Sequence, residues 1–211
     1  FQKAIQVNPE SLLGHYNLGN SYYRKNQNDK AIGCFQKAVS INPKQLEPHI
    51  NLSTALQKVN RLVEAVDSFR NVLALDPTNA SAHHNLGNCH RYLDRPEDAI
   101  THHRQAIELK PGNAKYRYGL AFPLLACGQI QEGLDAYEYR FQGTVEPRRF
   151  SKPLWDGRSD LTDQTILIWG EQGVGDVVIW ASGVTEIISR AKHCIIECHP
   201  KILGLLQRSF P

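Results

Sequence analysis

The chain has 211 residues, which suits one or two domains, and a formal charge of only +3, which excludes a strong electrostatic pull toward nucleic acid or an anionic membrane surface. Its longest apolar runs, residues 166–169 and 177–181, are far too short to span a bilayer. Five cysteines, Cys34, Cys89, Cys127, Cys194 and Cys198, show no disulfide-framework spacing, so reduced thiols and a cytoplasmic location are expected.

The chain opens on Phe1-Gln2-Lys3-Ala4 with no secretory leader pattern, and it contains no methionine. Together these lead to the expectation that the sequence is a piece of a longer protein. Pro9, Pro43, Pro77 and Pro111 recur every 34 residues. Leu18, Leu52 and Leu86 keep the same step, as do Ala31, Ala65 and Ala99, and Asn17, Asn51 and Asn85. A fixed period of this length marks a stack of supersecondary units, each with an apolar face that only its neighbour can cover.

In chain order, residues 1–9 are the tail of an incomplete repeat, because Phe1 and Pro9 hold the places of Phe35 and Pro43. Residues 10–43 form the first whole unit, with a helix from about Leu12 to Arg24, a turn at Asn26-Gln27-Asn28 and a helix from about Asp29 to Ile41. Residues 44–77 repeat this with a turn near Asn60, and residues 78–111 repeat it again with a turn at Leu93 to Pro96. Pro48 and Pro96 fall in first helical turns, where a missing N–H is tolerated. Gly19, Gly87 and the three alanines are expected to let the two helices of a pair approach, and Phe1, Phe35 and Phe69 to wedge between neighbours. The closing prolines end each second helix.

Residues 112–143 form an atypical fourth unit, in which Gly119 replaces the asparagine, Gly133 an alanine and Val145 the proline. Pro123 falls inside its first helix and should kink it. Residues 144–164 read as an ordered connector anchored by Phe150 and Trp155. From residue 165 the period changes. Ile166-Leu167-Ile168-Trp169 has the continuous apolarity of a buried parallel strand, a glycine-rich turn follows, then helical spacing, then a second strand at residues 194–198. The expected fold is therefore mainly α, a solenoid of helix pairs over 1–143, followed over 165–211 by the truncated β-α-β opening of an α/β Rossmann-like domain.

Leu18-Gly19, Tyr22, Ala31, Phe35, Ala38 and Pro43 resemble the tetratricopeptide repeat (TPR) pattern. That resemblance implies a right-handed superhelix whose first helices line a concave groove for a protein or an extended peptide. The groove residues it implies are Tyr16, Asn17, Asn20, Ile50, Asn51, Thr54, His84, Asn85, Asn88, Arg91 and Tyr118. Asn17, Asn51 and Asn85 form one row, and Asn20, Thr54 and Asn88 a second. A side-chain amide both donates and accepts, so a row of them can hold a peptide backbone; the alternative is that they bond their own repeat or water. The row is similar to the asparagine ladder of the O-linked N-acetylglucosamine transferase superhelix. It differs from the carboxylate clamp for chaperone tails, since Tyr16, Ser81 and Asn85 stand where that clamp needs basic side chains.

The turn Gly170-Glu171-Gln172-Gly173-Val174-Gly175-Asp176 matches neither the dinucleotide fingerprint nor a P-loop. Asp176 at a helix start reads either as an N-cap or as a general base at the carboxyl edge of the first strand. With Ile168-Trp169 before it, this stretch resembles the opening of heptosyltransferase-type GT-B glycosyltransferases, in which the aspartate of Gly-Asp is the proposed base. The connector motif of Phe150, Pro153, Trp155, Asp156 and Gly157 resembles that of bacterial proteins joining TPRs to such a domain. The resemblance implies a nucleotide-sugar donor for the full-length protein and an inactive piece here, with Gly170, Gly173 and Gly175 forming the glycine loop. The alternative is a non-enzymatic TPR scaffold whose C-terminal piece is a cap. An exposed strand edge there would also allow self-association.

Nine histidines include five in one unit, His83, His84, His90, His102 and His103. His15, His49 and His83 are equivalent positions, which points to repeat packing, and His84 alone is expected to face the groove. No metal, cofactor, nucleic-acid or membrane-spanning role is expected of this piece.

Overall fold

The computed structural model describes residues 1–142, 151–153, 155–169, 184–198 and 200–209. The chain divides into two compact units, Phe1–Arg148 and Arg149–Pro211.

In the first unit α1 (Gln2–Val7) stands alone. Three helix pairs follow: α2 (Leu12–Arg24) with α3 (Asn28–Ile41), α4 (Leu46–Lys58) with α5 (Leu62–Leu75), and α6 (Ala80–Tyr92) with α7 (Pro96–Leu109). The reason each pair starts and stops where it does recurs with the sequence period. The residue before each closing proline cannot stay helical, because proline Cδ clashes with it, so it turns extended. Asn8, Asn42, Asp76 and Lys110 accordingly sit at φ −134°, −140°, −139° and −141°. The first three then accept, through their side-chain Oδ1, the backbone N–H two residues on.

The turn inside each pair is equally regular. Asn26, Asn60 and Asp94 adopt φ of 56°, 61° and 56°, and Gly128 adopts 72° at the same step. Asparagine, aspartate and glycine are the residues that tolerate this left-handed backbone. The next residue's N–H then closes back onto the first helix: Gln27 to Tyr22 O, Arg61 to Leu56 O, Arg95 to His90 O and Gln129 to Leu124 O, at 2.9, 3.0, 3.0 and 2.9 Å.

Pro123 breaks the fourth unit's first helix into α8 (Ala114–Gly119) and α9 (Ala121–Ala126), as its missing N–H requires. Then α10 (Ile130–Tyr137) and a 3-10 turn (Glu138–Phe141) follow. Ala31, Ala65 and Ala99 are fully buried between paired helices, and Phe35 and Phe69 are 1 % exposed beside them. Phe1, expected to wedge in the same way, is instead 62 % exposed. A continuous core runs from Phe35 through Leu56 and Phe69 to Leu86 and Cys89, and a second gathers Ile100, Leu120, Leu124 and Ala136.

In the second unit β1 (Thr165–Trp169) pairs in parallel with β2 (His193–Glu197), Thr165 opposite His193 and Trp169 opposite Glu197. Helix α11 (residues 184–190) lies between them in sequence, and α12 (Pro200–Ser209) follows. The expectation of a strand buried on both faces is corrected: Leu167 is 38 % and Ile195 55 % exposed. Leu167 and Ile195 are opposite each other in the ladder, so these exposed side chains share one face of the pair. Residues 155–164 pack onto this unit. The Lys192 N–H donates to Leu161 O, Leu161 is buried, and the Arg190 guanidinium stacks over Trp155. Asp156 accepts from the backbone N–H groups of Ser159 and Arg158, which hold its carboxyl down at about 2. No helix among the described residues is long and apolar enough to cross a membrane.

Two glycine substitutions with the same chemistry should move stability in opposite directions. A Cβ on Gly19 would meet Phe35 at 2.6 Å, and Phe35 is locked in the core, so Gly19→Ala should destabilise by ~1–3 kcal/mol despite its better helix propensity. A Cβ on Gly33 meets nothing within 4 Å, so Gly33→Ala should stabilise by ~0.5–1 kcal/mol. Urea unfolding of both variants gives the check, and two shifts of the same sign would contradict the packing described.

Candidate functional site

The first helices α2, α4, α6 and α8 contact one another in succession, so equivalent residues on them form rows across the repeats. Tyr16, Asn17, Asn20, Ile50, Asn51, Thr54, Asn85, Asn88, Arg91 and Tyr118 are all half-buried, as residues lining a shared surface would be. The asparagine row is not uniform. Asn51 donates from Nδ2 to Asn20 Oδ1 of the preceding repeat at 2.8 Å, so the middle amide is partly spent linking repeats. The side-chain amides of Asn17 and Asn85 form no hydrogen bond with another described residue, while the Asn85 carbonyl accepts from Gln57 at 3.3 Å. Thr54 bonds back to Ile50 O within its own helix at 2.8 Å. Tyr118 packs edge-on to Phe122 and beside Tyr137.

His84 requires a correction. It is 4 % exposed, its ring packed 5.0 Å from both His103 and Tyr116, so it lies beneath the surface instead of facing a groove. Its Nε2 meets Asn88 Nδ2 at 3.1 Å, and therefore positions that asparagine.

At the C-terminal ends of α2, α4 and α6 the row opens into a cleft of about 460 Å³. Tyr23, Gln57 and Arg91, equivalent positions in successive units, line it together with Thr54, Lys58, Asn88 and Tyr92. Sequence reasoning named Thr54, Asn88 and Arg91 but missed Tyr23, Gln57, Lys58 and Tyr92. The period carried the signal: these fall three and four residues after the second polar row, one helical turn further along the same face.

The histidines are structural. His15, His49 and His83 each donate Nε2–H to the carbonyl of the proline six residues before, Pro9, Pro43 and Pro77, at 2.8, 2.9 and 3.2 Å. A carbonyl only accepts, which fixes Nε2 as the protonated nitrogen. Arg117 takes this role toward Pro111 in the fourth unit. His103 holds the place of Phe35 and Phe69, fully buried, with neither ring nitrogen hydrogen-bonded. Gly87 and Gly119 accommodate it, since a Cβ on them would meet its ring at 3.0 and 2.6 Å. Burial pushes the His103 imidazole down to about 3, helped by the charges of His84, Arg91 and His102. Burial, then Lys115, lowers His84 to about 4. His102 stacks on both His83 and His90. Among the described residues no group of three or more His, Cys, Asp or Glu could hold a metal ion.

Gly170, Gly173, Gly175 and Asp176 lie outside the described residues, as does Phe150. What is described next to them is β1, whose carboxyl end at Trp169 runs directly into the glycine loop in sequence.

The tetratricopeptide repeat family model matches residues 13–45 and 80–113, which contain the pairs α2 with α3 and α6 with α7. Protein FlbA of Caulobacter vibrioides is 32 % identical over 101 residues, 45 % of this chain. The matched stretch spans only 17 % of that relative's length. Among solved structures, MamA of Desulfovibrio magneticus aligns with a TM-score of 0.62 at 18 % identity, over 67 % of this chain and 82 % of its own. YrrB, described as a TPR protein with an unusual peptide-binding site, aligns with a TM-score of 0.59 at 22 % identity, over 68 % of this chain and 74 % of its own. At these identities the structural likenesses establish the solenoid fold.

The buried histidines make stability depend on pH. In the unfolded chain histidine titrates near 6.5, whereas folded His84 and His103 stay neutral down to about 4 and about 3. On acidification the unfolded state binds protons first, so stability is flat above pH ~6.5 and falls from there toward pH ~4. Between pH 6.5 and 5 each histidine should contribute a loss of about 2 kcal/mol. Denaturant unfolding at pH 7.5 and pH 5 measures it, and His103→Phe, which restores the ring of the other repeats, should reduce the difference without abolishing it, because burial also lowers His84, His90 and His102. Equal stability at the two pH values would rule out neutral burial.

Proposed function

We propose that the first unit is a docking module that holds an extended peptide or an unfolded protein segment along the row of first helices. The observation that carries this reading is the pair of side-chain amides Asn17 and Asn85, at equivalent positions on the first helices of the first and third repeats, which bond no other described residue, with half-buried Tyr16 and Ile50 beside them. Free amides can satisfy the N–H and C=O groups of a strand-like ligand without reading its side chains, and the neighbouring apolar surface adds contact area. The repeat family and the fold shared with a peptide-binding TPR protein support the same reading.

A panning experiment tests it. Displayed random peptides of about twelve residues are selected on the chain and retitrated against the triple variant Asn17→Ala, Asn51→Ala, Asn85→Ala. With each net hydrogen bond worth ~1 kcal/mol, affinity should drop by tenfold or more, while the helical signal by circular dichroism is kept. Peptides that bind the triple variant undiminished would place the ligand elsewhere.

The second unit supports a further step: that the docked segment serves a larger α/β enzyme of the glycosyltransferase type with a nucleotide-sugar donor. Its support is the parallel β1-α11-β2 arrangement, with the glycine loop and Asp176 following the carboxyl end of β1, where open α/β sheets place their ligands. A TPR scaffold with a structural C-terminal cap is the competing reading. Asp176→Asn in the full-length protein separates them: a general base lost slows sugar transfer by roughly 10²–10⁴-fold, whereas a helix cap tolerates the change, because asparagine caps about as well as aspartate.

A further inference from the structure

The cleft at the ends of α2, α4 and α6 has a chemical bias that the asparagine rows lack. It contains two cations, Lys58 and Arg91, and no carboxylate. Several other surface cations of the first unit are met by acids, Lys37 by Glu10, Arg61 by Glu64 and Arg104 by Glu132. Lys58 and Arg91 are instead held by neutral groups. The Lys58 ammonium sits 4.7 Å from the centre of the Tyr23 ring and donates to Asn26 Oδ1 at 2.8 Å. The Arg91 guanidinium lies 4.2 Å from the Tyr92 ring centre and 5.4 Å from that of Phe122.

Aromatic faces fix a cation in place without neutralising it. A stacked guanidinium also keeps its N–H edge free for a carboxylate. Thr54 and Asn88 add short polar side chains to the lining, the Thr54 hydroxyl donating to Ile50 O. Asn88 is oriented by the buried His84 ring beneath it. Both charged groups of its lining are positive, so the cleft is complementary to a negative side chain.

We propose that this cleft is a subsite for the carboxylate of an aspartate or glutamate in the docked segment, so that the groove prefers acidic peptides. The inference rests on the docking reading above. The amide rows hold the backbone of any extended segment, and the cleft adds a preference for one side-chain charge, set by Lys58 and Arg91.

The test uses the 211-residue chain and three N-acetylated, C-amidated peptides of alternating sequence, Gly-Glu, Gly-Gln and Gly-Lys, titrated by fluorescence anisotropy at low and high salt. Blocked termini keep the peptide ends from supplying a carboxylate of their own. The Gly-Glu peptide should bind about tenfold tighter than Gly-Gln at low salt, since a charge-assisted hydrogen bond exceeds a neutral one by about that much. The preference should shrink at high salt as the exposed side of the cleft is screened. The double variant Lys58→Gln, Arg91→Gln should bind the Gly-Glu and Gly-Gln peptides equally. Equal binding of the Gly-Glu and Gly-Gln peptides, sensitive to Asn17 and Asn85, would overturn the acidic subsite and leave the docking reading standing. Tighter binding of Gly-Lys, or a Gly-Glu preference that survives the double variant, would also overturn it. Absence of binding by all three would remove both readings. Because the peptide and salt comparisons use the unaltered chain, the outcome does not depend on the double variant folding.

Discussion

The first unit depends on one close approach, that of a ring on the second helix of each pair to a residue of small volume on the first. Phe35 lies so near Gly19 that a single methyl group there would overlap it. His103 stands in the same relation to Gly87 and, across the next repeat, to Gly119. Interiors are packed at crystal-like density, so such a contact sets the distance between helix axes and leaves no slack. The alanines at 31, 65 and 99 fill what remains, all fully buried. With that spacing fixed, the left-handed residue at 26, 60, 94 and 128 and the extended residue before each proline close the turns at a constant length. Rows of equivalent side chains across neighbouring first helices then follow without further constraint.

The third repeat shows how far the ring position can be altered. An imidazole has nearly the shape needed, but its two nitrogens have no hydrogen-bond partner there. Leaving buried polar atoms unpaired costs free energy, and the cost grows steeply if the group gains charge. The surrounding glycines, one of them replacing the asparagine of the fourth unit, make space for this ring. Gly119 leaves the His103 ring room that a Cβ at that position would fill.

The proposed docking surface and the core are coupled through the same residues. His84 supports Asn88 from below, Ser53 bonds Ser68 at 2.8 Å within the core, and Asn51 ties its repeat to Asn20. A surface built this way is held in place before a ligand arrives, which lowers the ordering cost of binding. The aromatic support of Lys58 and Arg91 acts in the same direction, since both long side chains would otherwise sample many rotamers.

Much of the fold was legible in the sequence because the constraints are local and repeated. The 34-residue period gave the helix pairs, the prolines gave their ends, Pro123 gave the broken helix, and the apolar runs gave a parallel β-α-β. These features depend on backbone sterics and nearest-neighbour packing, which residue type and spacing encode directly. What sequence could not decide depends on contacts between residues far apart in the chain. His84 shares its register with Tyr16, Ile50 and Tyr118, yet only the placement of His103 and Tyr116 around it buries it. Asn51 shares its register with Asn17 and Asn85, yet only the neighbouring repeat supplies the Asn20 oxygen that engages it. Periodicity places a residue on a face of a helix; which side chain meets it there, and whether it remains free to bind, is settled by the tertiary packing of the repeats against each other.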